Sequence, residues 1–165
     1  VYDMEEGRSD VYFGEESTVQ CHISDTRRAS VFGTPGVDID WRNQNTFFLK
    51  TGEAKTYIGK YRGVNRIPLL KLSELYLIAA EASGDKGYLQ TLRDHRGYVN
   101  YPLEENCDLA AEIEAEYRKE FMAEGQLFYY YKRLDYNTLP DMGVVMTGNY
   151  VFPMPDDEME FGDIK

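Results

Sequence analysis

The sequence predicts a mostly α-helical fold with irregular loops and short extended segments, and three observations carry that expectation. Apolar residues recur at helical spacing from Leu72 and again from Leu109. Glycines stand where the periodic runs stop, at Gly84, Gly97 and Gly125. Residues 1–66, by contrast, are polar and punctuated by Gly and Pro, which reads as a succession of turns.

Within that loop-rich part, Val11 to Phe13, Phe47 to Lys50 and Lys55 to Tyr61 have the β-branched and aromatic content of short strands. Glu15 to Ser24 reads as a short helix or strand. Gly33-Thr34-Pro35-Gly36 reads as a turn and not as a phosphate cradle, because Pro lacks the N–H such a cradle needs. From Leu72, the residues Leu72, Leu75, Tyr76, Ala79 and Ala82 share one helical face, and Ser83-Gly84-Asp85 ends the run. A second helix fits Tyr88 to Arg96, with Leu89, Leu92 and Arg96 on one side and Gly97 placed to take a positive φ. These two form a helical hairpin of the length found in tetratricopeptide repeats.

A third helix spans Leu109 to Ala123, since Leu109, Ile113, Tyr117 and Phe121 recur every four residues behind an Asp108 N-cap. Leu127 to Arg133 continues helically after a kink or break at Gly125. The run Phe128-Tyr129-Tyr130-Tyr131 spreads its rings around more than half the helix, so at least one faces a core and at least one does not. After Pro140 the chain loosens, with Met146 to Phe152 extended and Pro153-Met154-Pro155 rigid.

Composition limits the function classes. The 165 residues carry 18 Lys+Arg against 29 Asp+Glu, a net charge of −11, which disfavours binding to a phosphate backbone. The longest apolar run, Leu75 to Ala80, is far short of the roughly 20 residues that span a bilayer. At 42% hydrophobic, the chain can bury a core without disulfide or metal staples, and one domain is the default. The opening Val1-Tyr2-Asp3 lacks a signal-peptide pattern, so the N-terminus of the parent protein is expected elsewhere.

Chemistry-bearing constellations are sparse. Cys21 and Cys107 lie far apart, the only histidines are His22 and His95, and no metal-ligand spacing links them. Two unpaired thiols or one long-range bridge both fit. Asp38, Asp40 and Asn43 lack the central Gly and terminal Glu of a calcium loop. Glu116, Glu120 and Glu124 line one stripe of the third helix, where paired carboxylates would suit a glycosidase, but a solvated charged face beside an apolar one is the simpler expectation. No Gly-x-Ser-x-Gly elbow accompanies His95, and no cofactor motif is present. Trp41, the only Trp, stands in the polar segment Asp38-Ile39-Asp40-Trp41-Arg42-Asn43-Gln44-Asn45. Such a ring suits stacking against a sugar, so Trp41 is the ligand-binding candidate, and the plainer reading is a Trp tucked under its own loop.

The stretch Ile67 to Ala82, with Lys71-Leu72-Ser73-Glu74 opening its helix and Ala80-Glu81-Ala82 closing it, resembles the SusD/RagB family of Bacteroidetes surface lipoproteins. Further elements follow in the family's order. Arg93-Asp94-His95-Arg96-Gly97 resembles its Arg-x-x-Arg-Ala-Gly element. Glu116-Tyr117-Arg118-Lys119-Glu120-Phe121 and Glu124-Gly125 resemble its Glu-Arg-Arg-x-Glu-Leu and Glu-Gly pair. Lys132-Arg133 matches a basic pair, and Phe152-Pro153-Met154-Pro155 with Glu158 resembles its Pro-Ile-Pro-x-x-Glu close. Asp25-Thr26-Arg27-Arg28 and Lys60-Tyr61 are weaker matches upstream. Departures are Leu127 where the family often has Arg, Tyr130 where it often has Asp, and a tail without Gln-Asn-Pro-Gly-Tyr.

The resemblance implies a helical fold with tetratricopeptide-like hairpins, of which this chain is the C-terminal portion: residues 1–66 a loop-rich segment, 67–165 the helical region. It implies a non-enzymatic protein at the external face of the outer membrane, lipid-anchored through a cysteine outside this chain, without a cofactor. Such a protein hands an oligosaccharide or other nutrient to a SusC-like TonB-dependent transporter. Glu74, Glu81, Arg93, Arg96, Glu116, Arg118, Glu120, Glu124, Gly125, Arg133, Pro153 and Pro155 are then structural motif residues. The rival readings are a helical-repeat interaction domain without a ligand and, behind it, a carbohydrate hydrolase. The irregular first part is expected to leave apolar surface of the helical layer uncovered.

Overall fold

A computed structural model describes the backbone of residues 2–3, and residues 21–64, 66–140, 144–146, 148 and 150–151. Helices take up about half of the described residues, so the mostly-α expectation holds. Contacts divide the chain into two compact units, Val1–Glu124 and Gly125–Lys165.

Between Asp25 and Asn45 the first unit is helical, where the sequence was expected to give turns. Helix α1 (Asp25–Ile39) starts behind Ser24, whose hydroxyl accepts from the Arg27 N–H at 3.2 Å. It is interrupted at Gly33 (φ 62°, ψ 179°) and the extended Thr34, then resumes at Pro35. The turn read at Gly33-Thr34-Pro35-Gly36 is therefore a break inside a helix. Helix α2 (Trp41–Asn45) follows one residue later, capped by the Asp40 carboxylate on the Arg42 N–H at 2.9 Å.

Strands β1 (Tyr2–Asp3), β2 (His22–Ile23), β3 (Phe47–Leu49), β4 (Thr56–Ile58) and β5 (Arg66–Ile67) are short. β2, β4 and β3 form an antiparallel sheet in that order, with Phe48 opposite Tyr57, and β1 pairs with β5. The aromatic segments read as strands at Phe47 and Lys55 are thus β3 and β4. Val11 to Phe13 and residues 15–20 of the Glu15–Ser24 segment lie outside the described residues.

Helix α3 (Leu72–Ser83) stops at the left-handed Gly84 (φ 69°), and Asp85 caps helix α4 (Lys86–Arg93) through the Gly87 N–H at 2.8 Å. The two pack on each other across this two-residue connection. α4 widens into a π-helical turn, Asp94–Tyr98, in which Gly97 takes φ 108°. Helix α5 (Leu109–Glu120) starts where expected, with the Asp108 carboxylate accepting from the Ala111 N–H at 3.2 Å, and packs against α3. Leu77, Leu89, Leu92, Ile113, Tyr117 and Phe121 are buried.

The face of α3 departs from expectation. Its buried residues are Ser73, Leu77 and Ala80, whereas Leu72 and Leu75 are 68% and 59% exposed. α3 is apolar around most of its circumference, so an i, i+3, i+4 pattern can be traced on either side. The buried side is the one that carries Ser73 towards α5.

The second unit contains helix α6 (Gln126–Arg133), which begins after the left-handed Gly125 (φ 77°), a break and not a kink. Tyr130 and Tyr131 are buried and Tyr129 is exposed, as the aromatic run requires. The Tyr131 ring packs on Tyr136 at 5.1 Å, and Arg133 lies 5.5 Å over the Tyr130 ring. Thr138 bridges Val145. Phe152, Pro153 and Pro155 lie outside the described residues.

Candidate functional site

Trp41 is the first residue of α2 and is 57% exposed, so the ring is not tucked beneath its own loop. Both of its sequence neighbours are anchored in the interior. Asp40 is fully buried, and Arg42 grips it with a two-pronged guanidinium contact, Nε to Oδ1 at 3.0 Å and Nη2 to Oδ2 at 2.7 Å. The indole also lies close to Gly97, where a Cβ would stand 3.3 Å from Trp41 Cδ1 and 2.3 Å from the Ile39 carbonyl oxygen. No side chain fits there without displacing the backbone that carries Trp41.

Around Arg42 the charged side chains of this unit converge. Arg42 Nη1 donates to Glu120 Oε2 at 2.9 Å and lies 2.5 Å from Glu116 Oε1. Arg96 closes a second fork on Glu120, with Nε on Oε2 at 3.1 Å and Nη2 on Oε1 at 3.0 Å. The Ser73 hydroxyl reaches the same carboxylate from α3. Lys119 lies 3.6 Å from Glu116 and donates to the Tyr98 hydroxyl at 3.3 Å, and that hydroxyl in turn hydrogen-bonds Asp40. Asp40, Glu116 and Glu120 thus meet Arg42, Arg96 and Lys119, three charges of each sign.

The solvated-face expectation for Glu116 and Glu120 is therefore corrected: they are 1% and 5% exposed. Cations 78 and 24 positions away bring them inside, and spacing along one helix carries no trace of such partners. Glu124, at the end of this unit, is gripped by both Lys60 and Lys71, and Lys60 also donates to the Glu120 carbonyl. Arg93 pairs with Glu112 at 2.6 Å and lies over the Tyr98 ring. Arg118 and Glu81 are half-buried and engaged by other groups, and Glu74 is half-buried in the first turn of α3.

Electrostatics follow the geometry. Burial pushes the Glu120 carboxyl up, but the Arg96 hydrogen bonds and the Arg96 and Arg42 charges outweigh it and bring it down to about 2. At neutral pH Glu120 is ionised and has no proton to donate. Burial opposes the Arg42 charge, and Glu116, Asp40 and Glu120 more than restore it. Burial lowers Lys60 to about 8, with neighbouring Lys71 adding to the effect and Glu124 resisting it. Burial, reinforced by Asp40 and Glu116, raises the Tyr98 phenol.

No family model, curated protein or solved structure matches this chain. Cys21 and Cys107 are free thiols. Among the described residues no three His, Cys, Asp or Glu side chains gather for a metal, and no helix is long and apolar enough to cross a membrane. In the Asp38-Asp40-Asn43 segment, Asp40 holds Arg42 and the Asn43 amide nitrogen donates to the Val37 carbonyl at 2.6 Å, while Asn43 Oδ1 is buried without a partner among the described residues.

Proposed function

We propose that this chain is the C-terminal portion of a SusD/RagB-like surface lipoprotein, a non-enzymatic component that binds an oligosaccharide or other nutrient for a SusC-like TonB-dependent transporter. The observation that carries the reading is the seat of Trp41: an exposed aromatic whose flanking residues are locked into a buried ionic lattice. A binding ring held this way loses little freedom when a ligand stacks on it. The family resemblance draws support from the same lattice, because Arg96, Glu116 and Glu120 are motif residues that converge in it, while motif residue Glu124 clasps Lys60 and Lys71. In this reading the α3–α4 pair is one tetratricopeptide-like hairpin, and the lipid anchor lies outside the chain.

The test is a glycan array on the full-length parent protein, followed by calorimetry on the hit with the Trp41→Ala variant. Loss of one stacked ring should weaken binding about tenfold or more. Unchanged affinity removes Trp41 from the site. An empty array together with transporter co-purification would replace this reading with a ligand-free interaction domain, and turnover of the glycan would replace it with a hydrolase.

A further inference from the structure

The N-terminal turn of α1 and strands β3 and β4 border an open pocket of about 260 Å³, lined by Asp25, Arg28, Phe47, Phe48, Leu49 and Thr56 and not by Trp41. Asp25 and Arg28 belong to one of the weaker motif elements, and none of the six residues takes part in the ionic lattice. Arg28 Nη2 lies 3.5 Å from Asp25 Oδ1, and the Thr56 hydroxyl donates to that same oxygen at 3.3 Å. The Arg28 guanidinium is held 5.6 Å over the Phe47 ring. Among the described residues, Asp25 Oδ2, the remaining guanidinium N–H groups and the Thr56 oxygen have no other partner and can meet a ligand.

Three properties define what fits. The volume falls just below the roughly 300 Å³ at which sites for drug-sized molecules begin, so the occupant is a single ring. Asp25 and Arg28 cancel one another, so the pocket offers a donor–acceptor pair without net charge and gives an anion no advantage. Phe47, Phe48 and Leu49 supply apolar surface beside that pair. A ring with an apolar C–H face and vicinal hydroxyls at its rim satisfies all three, since the hydroxyls accept from Arg28 while donating to Asp25 and the C–H face meets the apolar side formed by Leu49 and by Phe47 and Phe48, whose rings carry Arg28 and Arg62 over them.

We propose that this pocket is a binding site for one neutral hexose unit, separate from Trp41. The choice of ligand class rests on the glycan-binding reading above, whereas the location rests on the pocket itself. An open site with so few polar contacts binds a single sugar at about millimolar affinity and gains strength only when the unit belongs to a longer chain.

The experiment is two-dimensional NMR on the labelled full-length parent protein, titrated with methyl hexosides (gluco, galacto, manno) and with galacturonate. At least one neutral hexoside should shift the resonances of Arg28, Phe47 and Thr56. Arg28→Met, which keeps the stem over Phe47, and Asp25→Asn, at a side chain 80% exposed, should each weaken that response tenfold or more, with the rest of the spectrum unchanged as proof of folding. Trp41→Ala should leave it intact. Shifts confined to the surroundings of Trp41 overturn the pocket and leave the glycan-binding reading standing. A stronger response to galacturonate than to any neutral hexoside overturns the neutral-sugar assignment. Silence from all four sugars overturns the pocket site, while the glycan array on the parent protein judges the wider reading separately.

Discussion

Glu120 is where the chain has most at stake in one side chain. Its carboxyl sits at about 2 in the folded state, against about 4.3 when unfolded. A depressed carboxylate contributes stability that is fully present above the unfolded value and is lost as pH falls from about 5 towards 2. The contribution is on the order of 3 kcal/mol for this nearly buried group. Glu120→Gln should therefore cost about 3 kcal/mol in urea unfolding at pH 7, and the gap to the parent should narrow steadily below pH 4. A pH-independent gap would mean that the carboxylate charge contributes nothing. Gly97→Ala tests the floor beneath Trp41. Its φ of 108° and the 2.3 Å approach to the Ile39 carbonyl should together cost about 3 kcal/mol, read by the same method. The positive φ at Gly97 was legible in the sequence, because a glycine closing an apolar run has few other uses. The fate of Glu116 and Glu120 was not: a carboxylate four residues from another on a helix looks the same whether water or a distant arginine meets it.

Among the elements, those with dense apolar periodicity were legible. α3 and α5 begin at the expected residues, and Gly84 ends α3 as predicted. α1 was missed because its only buried side chain of any size is Phe32 and its middle carries Gly, Thr and Pro. It is held by its Ser24 cap and by Gly36, whose missing side chain leaves room for the Tyr98 hydroxyl. Which side of α3 faces inward was also beyond reach, since both sides are apolar and the Ser73–Glu120 bond that decides it is tertiary. The assignment is open to a paired test. Leu77→Ala should cost about 2–5 kcal/mol as a fully buried site, while Leu75→Ala should stay within about 0.5 kcal/mol. Equal costs would return Leu75 to the core.

For the molecule as a whole, the outward side of α3 is the main consequence for behaviour in solution. Leu69, Leu70, Leu72, Leu75 and Ile78 are all exposed within one stretch of chain, and exposed apolar surface of this kind drives association. The isolated 165 residues should self-associate with rising concentration in sedimentation velocity, and the double substitution Leu75→Lys, Ile78→Lys should restore a single monomeric species. A monodisperse parent chain would show that this surface is tolerated uncovered. The ionic lattice has a different consequence, one of time. Arg42 and Glu120 are 78 positions apart, so at roughly 5–20 residues per second the ribosome makes the arginine about 4–16 s before its glutamate. Asp40 lies only two positions from Arg42 and holds the guanidinium by two prongs. During synthesis the arginine therefore waits already matched to a local acid, and the lattice is completed by adding α5 to a prepared half-site, not by sorting six loose charges at once.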